Sequence, residues 1–260
     1  MKAAVGQFIV TPYWQHNARC CVALMEQAQW ADLLVLPEAV LARDNNNPLH
    51  AVSAAQTFDG DFMKLLLRAS EGSPLTTVFT LHVPTSEGRA VNTLVVLRNG
   101  EIIATYQKLH LYDAFTARES AQVDAGQALP PLLDIADMRV GFMTCYDLRF
   151  PDLAIHLALA GAQAIALPAA WLRGQHKEQH WETLLAARAL DSTCYIIAAG
   201  ECGEKNIGYS RIIDPFGITL AGACEGPMLI SAELSADRIS EVRAQLPVLK
   251  HRRFAPPQLM

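Results

Sequence analysis

Three reactive side chains each follow an apolar run of the sequence. Glu38 follows "LLVLP", Lys108 follows "EIIATYQ" and Cys145 follows "RVGFMT". Apolar runs of this kind are typical of buried strands, and ligands of α/β proteins bind beyond the carboxyl ends of strands. The pattern therefore places a base, an oxyanion-stabilising cation and a nucleophile where a binding site is expected.

Each of these residues also has an unreactive interpretation, which is the better one when the residue is taken alone. Most cysteines are buried and inert, and Glu38 and Lys108 would then be a solvated loop carboxylate and a surface lysine. A free thiol has a pKa of about 8.5, so Cys145 needs a base or a cation beside it to act as a nucleophile. No histidine lies in a motif that indicates it as this partner.

A zinc site is the second chemistry that the sequence offers. The segment "HKEQH" carries His176 and His180 at positions i and i+4, a spacing that can bind zinc from one helix face. The glutamate does not stand where it does in HExxH, and no third ligand is evident. We therefore expect these residues to begin an amphipathic helix. Neither a metal nor another cofactor is predicted, because the sequence also lacks a Walker-type loop and a GxGxxG motif.

Composition and charge restrict the class of protein. The 260 residues are 51% hydrophobic and 18% charged, which indicates a compact globular protein, and we expect a single domain over residues 1–260. The net charge is −5, and no basic cluster is longer than the terminal "KHRR". Nucleic acid is therefore not an expected partner, and an anionic substrate would need a few local Lys or Arg side chains.

The first residues and the cysteines indicate the compartment. The apolar run in "MKAAVGQFIV" is too short to span a membrane and lacks a small-residue cleavage site, so it predicts a first strand and not a signal peptide or a membrane anchor. We therefore expect reduced thiols and a cytoplasmic location. No CxxC pair occurs among the six cysteines, Cys20, Cys21, Cys145, Cys194, Cys202 and Cys224.

Apolar runs that predict strands alternate with segments of helical period, which favours a layered α/β fold with sheet packed between helices. Hairpins are predicted at 90–108, around the turn Asn99-Gly100, and at 208–223, around "DPFG". Strands are expected at 3–10, 31–39, 76–83, 139–145, 162–170, 194–200 and 227–234. Helices are expected at 17–30, 60–72, 151–161, 176–192 and 235–246.

Two of the predicted strands follow the same plan. The segments "ADLLVLPEA" and "AQAIALPAA" each consist of an apolar run, then Leu-Pro, then small residues. Two similar sheets that face each other would explain this echo. Chance would explain it too, because apolar strands that end in proline are common.

The ordered set of motifs resembles the nitrilase superfamily of carbon–nitrogen hydrolases, whose catalytic residues are Glu, Lys and Cys in that chain order. The resemblance covers nearly the whole chain through "GQF", "PEA", "CYDLRFP", "HWETLLAARALD", "CYIIAAGECG", "GYSRIIDPFG" and "LPVLKHRR". One departure is Gln107, where arginine is common in the family. The resemblance implies a four-layer αββα sandwich, a homodimer and a fourth polar residue, Glu119.

The resemblance also implies the chemistry of a thiol amidase that needs no cofactor. Glu38 would be the general base and acid, and Cys145 would form a thioester with the substrate. Lys108 and the backbone N–H of Tyr146 would hold the oxyanion. The charge of Lys108 is further expected to favour the thiolate form of Cys145.

The implied substrate is a small anionic amide. "CYDLRFPDL", "CYIIAAGECG" and "LPVLKHRR" resemble the branch that acts on glutathione whose γ-glutamyl amino group has become a keto group. The alternative is the ω-amidase branch, which acts on α-ketoglutaramate and α-ketosuccinamate. A non-catalytic binding protein on the same fold is a third possibility. Arg149, Trp171 and Arg173 are the predicted substrate contacts, with Lys177 as a further cation for its carboxylates.

Overall fold

The computed structural model describes residues 1–44, 46–47, 49–86, 88–115 and 117–260. Its helices are α1 (Trp14–Gln27), α2 (His50–Ser53), α3 (Asp61–Ser70), α4 (Pro151–Leu159), α5 (Lys177–Ser192) and α6 (Ala236–Gln245). Its strands are β1 (Lys2–Gln7), β2 (Leu33–Val35), β3 (Thr76–Pro84), β4 (Ala90–Arg98), β5 (Glu101–Gln107), β6 (Val123–Asp124), β7 (Leu133–Ile135), β8 (Met138–Phe142), β9 (Ala164–Ala169), β10 (Tyr195–Gly200), β11 (Arg211–Ile213), β12 (Thr219–Gly222) and β13 (Met228–Glu233).

The described strands form two sheets with the same topology. The first has the order β13-β1-β2-β3-β4-β5, with β6 beside β4, and the second has the order β12-β11-β10-β9-β8-β7. In the first sheet β1, β2 and β3 are parallel and continue into an antiparallel meander through β4 and β5. In the second sheet β8, β9 and β10 are parallel and continue into β11 and β12 in the same way. Each sheet is completed by an antiparallel strand, β13 or β7.

This repetition explains the sequence echo. The segment "ADLLVLPEA" contains β2 and "AQAIALPAA" contains β9, and each of these strands is the middle one of three parallel strands. The two segments meet where they leave their sheets, because the backbone N–H of Glu38 donates to the carbonyl oxygen of Ala169 at 3.3 Å. The two similar sheets that the echo suggested are therefore present and face each other.

Three apolar layers hold the sandwich together and confirm the predicted αββα class. Val5, Val35, Phe142 and Ile197 belong to a buried cluster that both sheets share. A second cluster packs α1 and α3 against the first sheet, and a third packs α4 and α5 against the second sheet. Each sheet is apolar on both faces because one face meets the other sheet and the opposite face meets helices. No helix in the described part of the chain is both long enough and apolar enough to cross a bilayer.

The strands that precede Glu38 and Cys145 are shorter than predicted, whereas β5 extends to Gln107, next to Lys108, as expected. Of the predicted strand 31–39 only β2 is regular, since Pro37 has no N–H to continue the ladder and Ala39 adopts a positive φ of 55°. The predicted strand 139–145 ends at Phe142. These shortened ends free the chain to turn toward the gap between the sheets.

Candidate active site

The structure brings together the side chains of Glu38, Lys108 and Cys145 at the carboxyl ends of β2, β5 and β8. The Nζ of Lys108 donates to Oε1 of Glu38 at 2.9 Å and to Oε2 of Glu119 at 2.8 Å. The Cys145 thiol lies close enough to the Glu38 carboxylate for the charge of Glu38 to raise the pKa of the thiol. Glu38, Lys108 and Cys145 are 4%, 2% and 7% exposed, so they form a nearly dry group of polar side chains.

Cys145 is held in an uncommon backbone conformation. It opens the short 3-10 turn Cys145–Arg149 and has a φ of 44°, in the left-handed region that residues other than glycine avoid. Such conformations persist where the surroundings impose them, and they cluster at functional sites. Tyr146 is the second residue of this turn, so its N–H has no acceptor within the turn and is available to a ligand.

Asp147 fixes the turn that carries Cys145. Its buried carboxylate accepts hydrogen bonds from the N–H of Thr144 at 2.9 Å and from the hydroxyl of Tyr106 at 2.8 Å. The backbone N–H of His110 donates to the same carboxylate at 3.1 Å, and the His110 ring lies 2.7 Å from it. The side chain of Asp147 therefore joins the segment that follows β5 to the turn that follows β8.

Asn92 joins the two glutamates and was not singled out from the sequence. Its side-chain amide donates to Oε1 of Glu38 at 2.8 Å and more weakly to Oε1 of Glu119 at 3.4 Å. The other oxygen of Glu38 accepts from the N–H of Ala170 at 3.0 Å. A polar Asn in the otherwise apolar run "AVNTLVVL" is the sequence signal that could have found it, since buried polar groups need partners.

These contacts set the charges of the group. Burial raises the pKa of the Glu38 carboxyl, but the cations Lys108 and Arg43 outweigh it and lower that pKa. Burial lowers the pKa of Lys108, but Glu119 and Glu38 raise it well above its usual value. Burial and then the Glu38 charge raise the pKa of the Cys145 thiol, and Lys108 offsets them only in part. At neutral pH the group is a carboxylate, an ammonium and a neutral thiol. Lys108 favours the thiolate, as expected, but burial and the charge of Glu38 outweigh it.

A cavity of about 560 Å³ opens onto these residues, a size that suits a small-molecule ligand. Besides Glu38, Lys108, Glu119 and Cys145, its charged or titratable walls include Arg43, His82 and Arg118. A small recess beside it reaches Cys145 between Tyr112, Tyr146, Trp171 and Lys177. The sequence did not indicate Arg43 or His82, because neither follows its strand in a recognisable motif.

The predicted substrate contacts divide into two groups. Trp171 lies in the recess next to Cys145, although it is only 4% exposed. Arg149 and Arg173 do not line the cavity. The Arg149 guanidinium lies 4.8 Å from the ring centroid of Trp171, and Arg173 pairs with Glu178 and Glu225 at 3.7 and 3.5 Å.

The two histidines of the alternative zinc site lie at the start of α5. His176 precedes α5 with a φ of 58° and is exposed, whereas His180 lies within the first turns of α5. Over the described ranges, no group of three or more His, Cys, Asp or Glu side chains has the arrangement of a metal site. Helix α5 begins at Lys177, as the amphipathic pattern predicted within one residue.

Known proteins resemble this chain in sequence and fold. Residues 3–244 match the carbon–nitrogen hydrolase family. A deaminated glutathione amidase of Escherichia coli O157:H7 is 58% identical over the full length of both chains. The Caenorhabditis elegans NitFhit protein superposes with a TM-score of 0.90 at 28% identity, over 97% of this chain and 65% of that one. An amidase of Nesterenkonia sp. AN1, in which acrylamide has added to the active-site cysteine, superposes with a TM-score of 0.81 at 26% identity over 95% and 98% of the two chains. This chain therefore belongs to the carbon–nitrogen hydrolase family.

Proposed function

We propose that the protein hydrolyses the amide bond of deaminated glutathione, giving α-ketoglutarate and cysteinylglycine. The observation that carries the proposal is the position of Lys108 between Glu38 and Glu119, beside the buried thiol of Cys145. The name of the E. coli relative, 58% identical over its full length, supports the choice of substrate. The amidase of Nesterenkonia, whose active-site cysteine is alkylated, supports a cysteine nucleophile.

In the first step Sγ of Cys145 attacks the amide carbon as its proton passes to Glu38. The neutral thiol of the resting state needs this transfer to a neighbouring base, because the thiolate is not present beforehand. The carbonyl oxygen becomes an oxyanion. An ammonium has three N–H donors, and two of those of Lys108 are used by the glutamates. The third N–H and the N–H of Tyr146 are thus the proposed oxyanion donors.

The intermediate then releases the amine and is hydrolysed. The C–N bond breaks as Glu38 returns its proton to the nitrogen, and cysteinylglycine leaves behind a thioester on Cys145. Water attacks the thioester carbon while Glu38 takes a proton from it. The C–S bond breaks, the Cys145 sulfur regains that proton, and α-ketoglutarate leaves.

Trapping and competition test this proposal. Mass spectrometry of the quenched enzyme should show an adduct on the peptide that contains Cys145, with the mass of the α-ketoglutaryl group. The kcat/KM for deaminated glutathione should exceed the value for α-ketoglutaramate. A strong preference for α-ketoglutaramate would assign the protein to ω-amidase function instead. The absence of turnover of either compound would favour a non-catalytic role, and loss of activity with chelators would favour a metal hydrolase.

We further propose a single-domain homodimer that works in the cytoplasm. The apolar cluster shared by both sheets supports a single domain. Leu159 of α4 and Leu190 of α5 are 38% and 40% exposed on the outer helical layer, and exposed apolar side chains suit a symmetric contact. Sedimentation equilibrium should give twice the chain mass, and cell fractionation should recover the protein with cytoplasmic markers.

A further inference from the structure

Arg43 is a cation at the wall of the catalytic cavity that the proposed reaction does not use. Its side chain is 23% exposed, and its Nε lies 2.8 Å from Oε2 of Glu201, which is 2% exposed. The Nε–H does not point at that oxygen, so the contact is an ion pair and not an aligned hydrogen bond. In the described part of the chain the two terminal amino groups of Arg43 make no hydrogen bond, which leaves them available to the cavity.

Two loops from opposite sheets hold this guanidinium in place. Arg43 follows β2, and its backbone N–H donates to the carbonyl oxygen of Thr11 at 3.1 Å. Glu201 follows β10; its N–H donates to the carbonyl oxygen of Ala169 at 2.8 Å, and its carboxylate accepts from Asn206 at 3.2 Å. A planar guanidinium whose ion-pair partner lies beside Nε can present its two terminal amino groups as a fork, the geometry that binds a carboxylate with two hydrogen bonds.

The charges around the cavity show why an anionic substrate would need the cation of Arg43. Glu38 and Glu119 would repel an anionic substrate, and the ammonium of Lys108 is already hydrogen-bonded to both of them. Arg43 interacts electrostatically with Glu38 and with Cys145, so it lies near the reacting group. In deaminated glutathione four bonds separate the scissile carbonyl carbon from the carboxylate of the keto acid, and this carboxylate therefore stays close to Cys145.

We propose that the terminal amino groups of Arg43, positioned by Glu201, bind the carboxylate of the α-keto acid and select acyl groups that carry it. This inference rests on the proposed function, since it takes the substrate to be the amide of an α-keto dicarboxylic acid. Arg43 is then a specificity-determining residue that contacts the acyl half of the substrate. The structural alternative is that Arg43 only bridges the two loops.

A pair of substrates separates these roles. Deaminated glutathione is compared with 4-oxopentanoyl-cysteinylglycine, in which a methyl group replaces the keto-acid carboxylate and the scissile amide is unchanged. We expect the wild-type enzyme to prefer the carboxylate substrate. Arg43→Met should lower kcat/KM for that substrate by about 10- to 100-fold, mainly through KM, because two charge-assisted hydrogen bonds are lost. It should lower kcat/KM for the methyl ketone by less than about 3-fold, because this substrate loses only the electrostatic effect of Arg43 on Glu38, which Lys108 still keeps ionised.

Two control variants separate a loss of carboxylate recognition from a general loss of activity or folding. Arg211→Met removes another arginine that pairs with a glutamate, Glu182 at 2.7 Å, outside the cavity, and it should leave both values unchanged. Arg43→Lys keeps the charge without the fork and should retain part of the preference, which gives a reading even if Arg43→Met does not fold. Equal losses on both substrates, or no loss on either, would overturn the proposal. If the wild-type enzyme hydrolysed both equally well, Arg43 would not select the carboxylate although the amidase function would stand; turnover of neither would refute the amidase function itself.

Discussion

The Nζ of Lys108 donates a 2.9 Å hydrogen bond to Oε1 of Glu38, 70 residues earlier in the chain. This bond joins the ends of β5 and β2, and it forms where both side chains are almost fully buried. Burial makes an unpaired charge costly, and Glu119, Asn92 and the N–H of Ala170 stabilise the pair by satisfying all but the third N–H of Lys108. The network presents a base and a cation to Cys145 in fixed positions.

Removal of the sulfur should abolish activity without affecting folding. Cys145→Ala is expected to lower kcat by at least about 10³-fold, because the covalent route is lost. Circular dichroism and a thermal melt would check the fold. Cys20→Ser is the matched control, since Cys20 is a half-exposed thiol on α1 outside the cavity and should keep full activity. Near-normal amidase activity of Cys145→Ala would refute the mechanism.

Glu119 should act through Lys108, and the pH profile should reveal this. The pKa of Lys108 is raised in part by Glu119, so Glu119→Gln should lower it. The alkaline limb of the pH profile of kcat/KM should then move to lower pH, because the Lys108 ammonium loses its proton at a lower pH. Glu38→Gln removes the base itself and should lower kcat at every pH. An alkaline limb that does not move in Glu119→Gln would contradict this role.

His82 should make the folded protein sensitive to acid. Burial, as the largest cause, lowers its pKa from 6.5 to about 4 in the folded state. Above pH 6.5 the imidazole is neutral in both states. Between pH 6.5 and 4 the unfolded chain binds a proton that the folded chain resists, so the free energy of unfolding falls as pH falls, by up to about 3 kcal/mol.

His82→Gln isolates this contribution. Urea unfolding at pH 7.5, 5.5 and 4.5 should give a smaller loss of stability for His82→Gln than for the wild-type protein across this window. Other groups that titrate in this window affect both proteins equally, so they cancel in the difference between the two free energies of unfolding. Parallel curves would show that His82 is not responsible.

Glu201 should make substrate affinity depend on pH. The pKa of the Glu201 carboxyl is raised to about 7. Burial is the largest cause and the charge of Glu38 adds to it, whereas Arg43 lowers this pKa in part. The adjacent Cys202 has a thiol pKa raised by burial and stays neutral. As pH falls through about 7, Glu201 gains a proton and the charge of Arg43 is less neutralised. The KM for deaminated glutathione should therefore be lower at pH 6 than at pH 8.

Glu201→Gln should remove this dependence. The amide mimics the protonated acid in shape and charge, so the KM of the variant should stay low between pH 6 and 8. The methyl ketone substrate serves as the control, because its KM should not respond to the state of Glu201 in either protein. A KM that rises equally in wild type and Glu201→Gln would assign the pH dependence to another group.

Local sequence patterns predicted most elements of the fold. The Asn99-Gly100 turn between β4 and β5 lies where it was expected, with φ values of 48° and 76°, because few other dipeptides tolerate positive φ at both turn positions. The strands β6 and β7 and the helix α2 were missed. They are two to four residues long, too short to show a period, and β7 exists only because it pairs with β8.

The sequence alone determined the family resemblance, the layered α/β class and the order Glu38, Lys108, Cys145, since residue types, apolar runs and turn signals are local properties. It did not determine which other side chains meet them. Asn92, Arg43 and Glu201 come to the cavity or its wall from different loops and strands, whereas Arg149, closer in sequence to Cys145, lies against Trp171, and Arg173 pairs with Glu178. The protonation of Cys145 was also decided in three dimensions, because burial and the charge of Glu38 outweigh Lys108 only once the two sheets bring all three together.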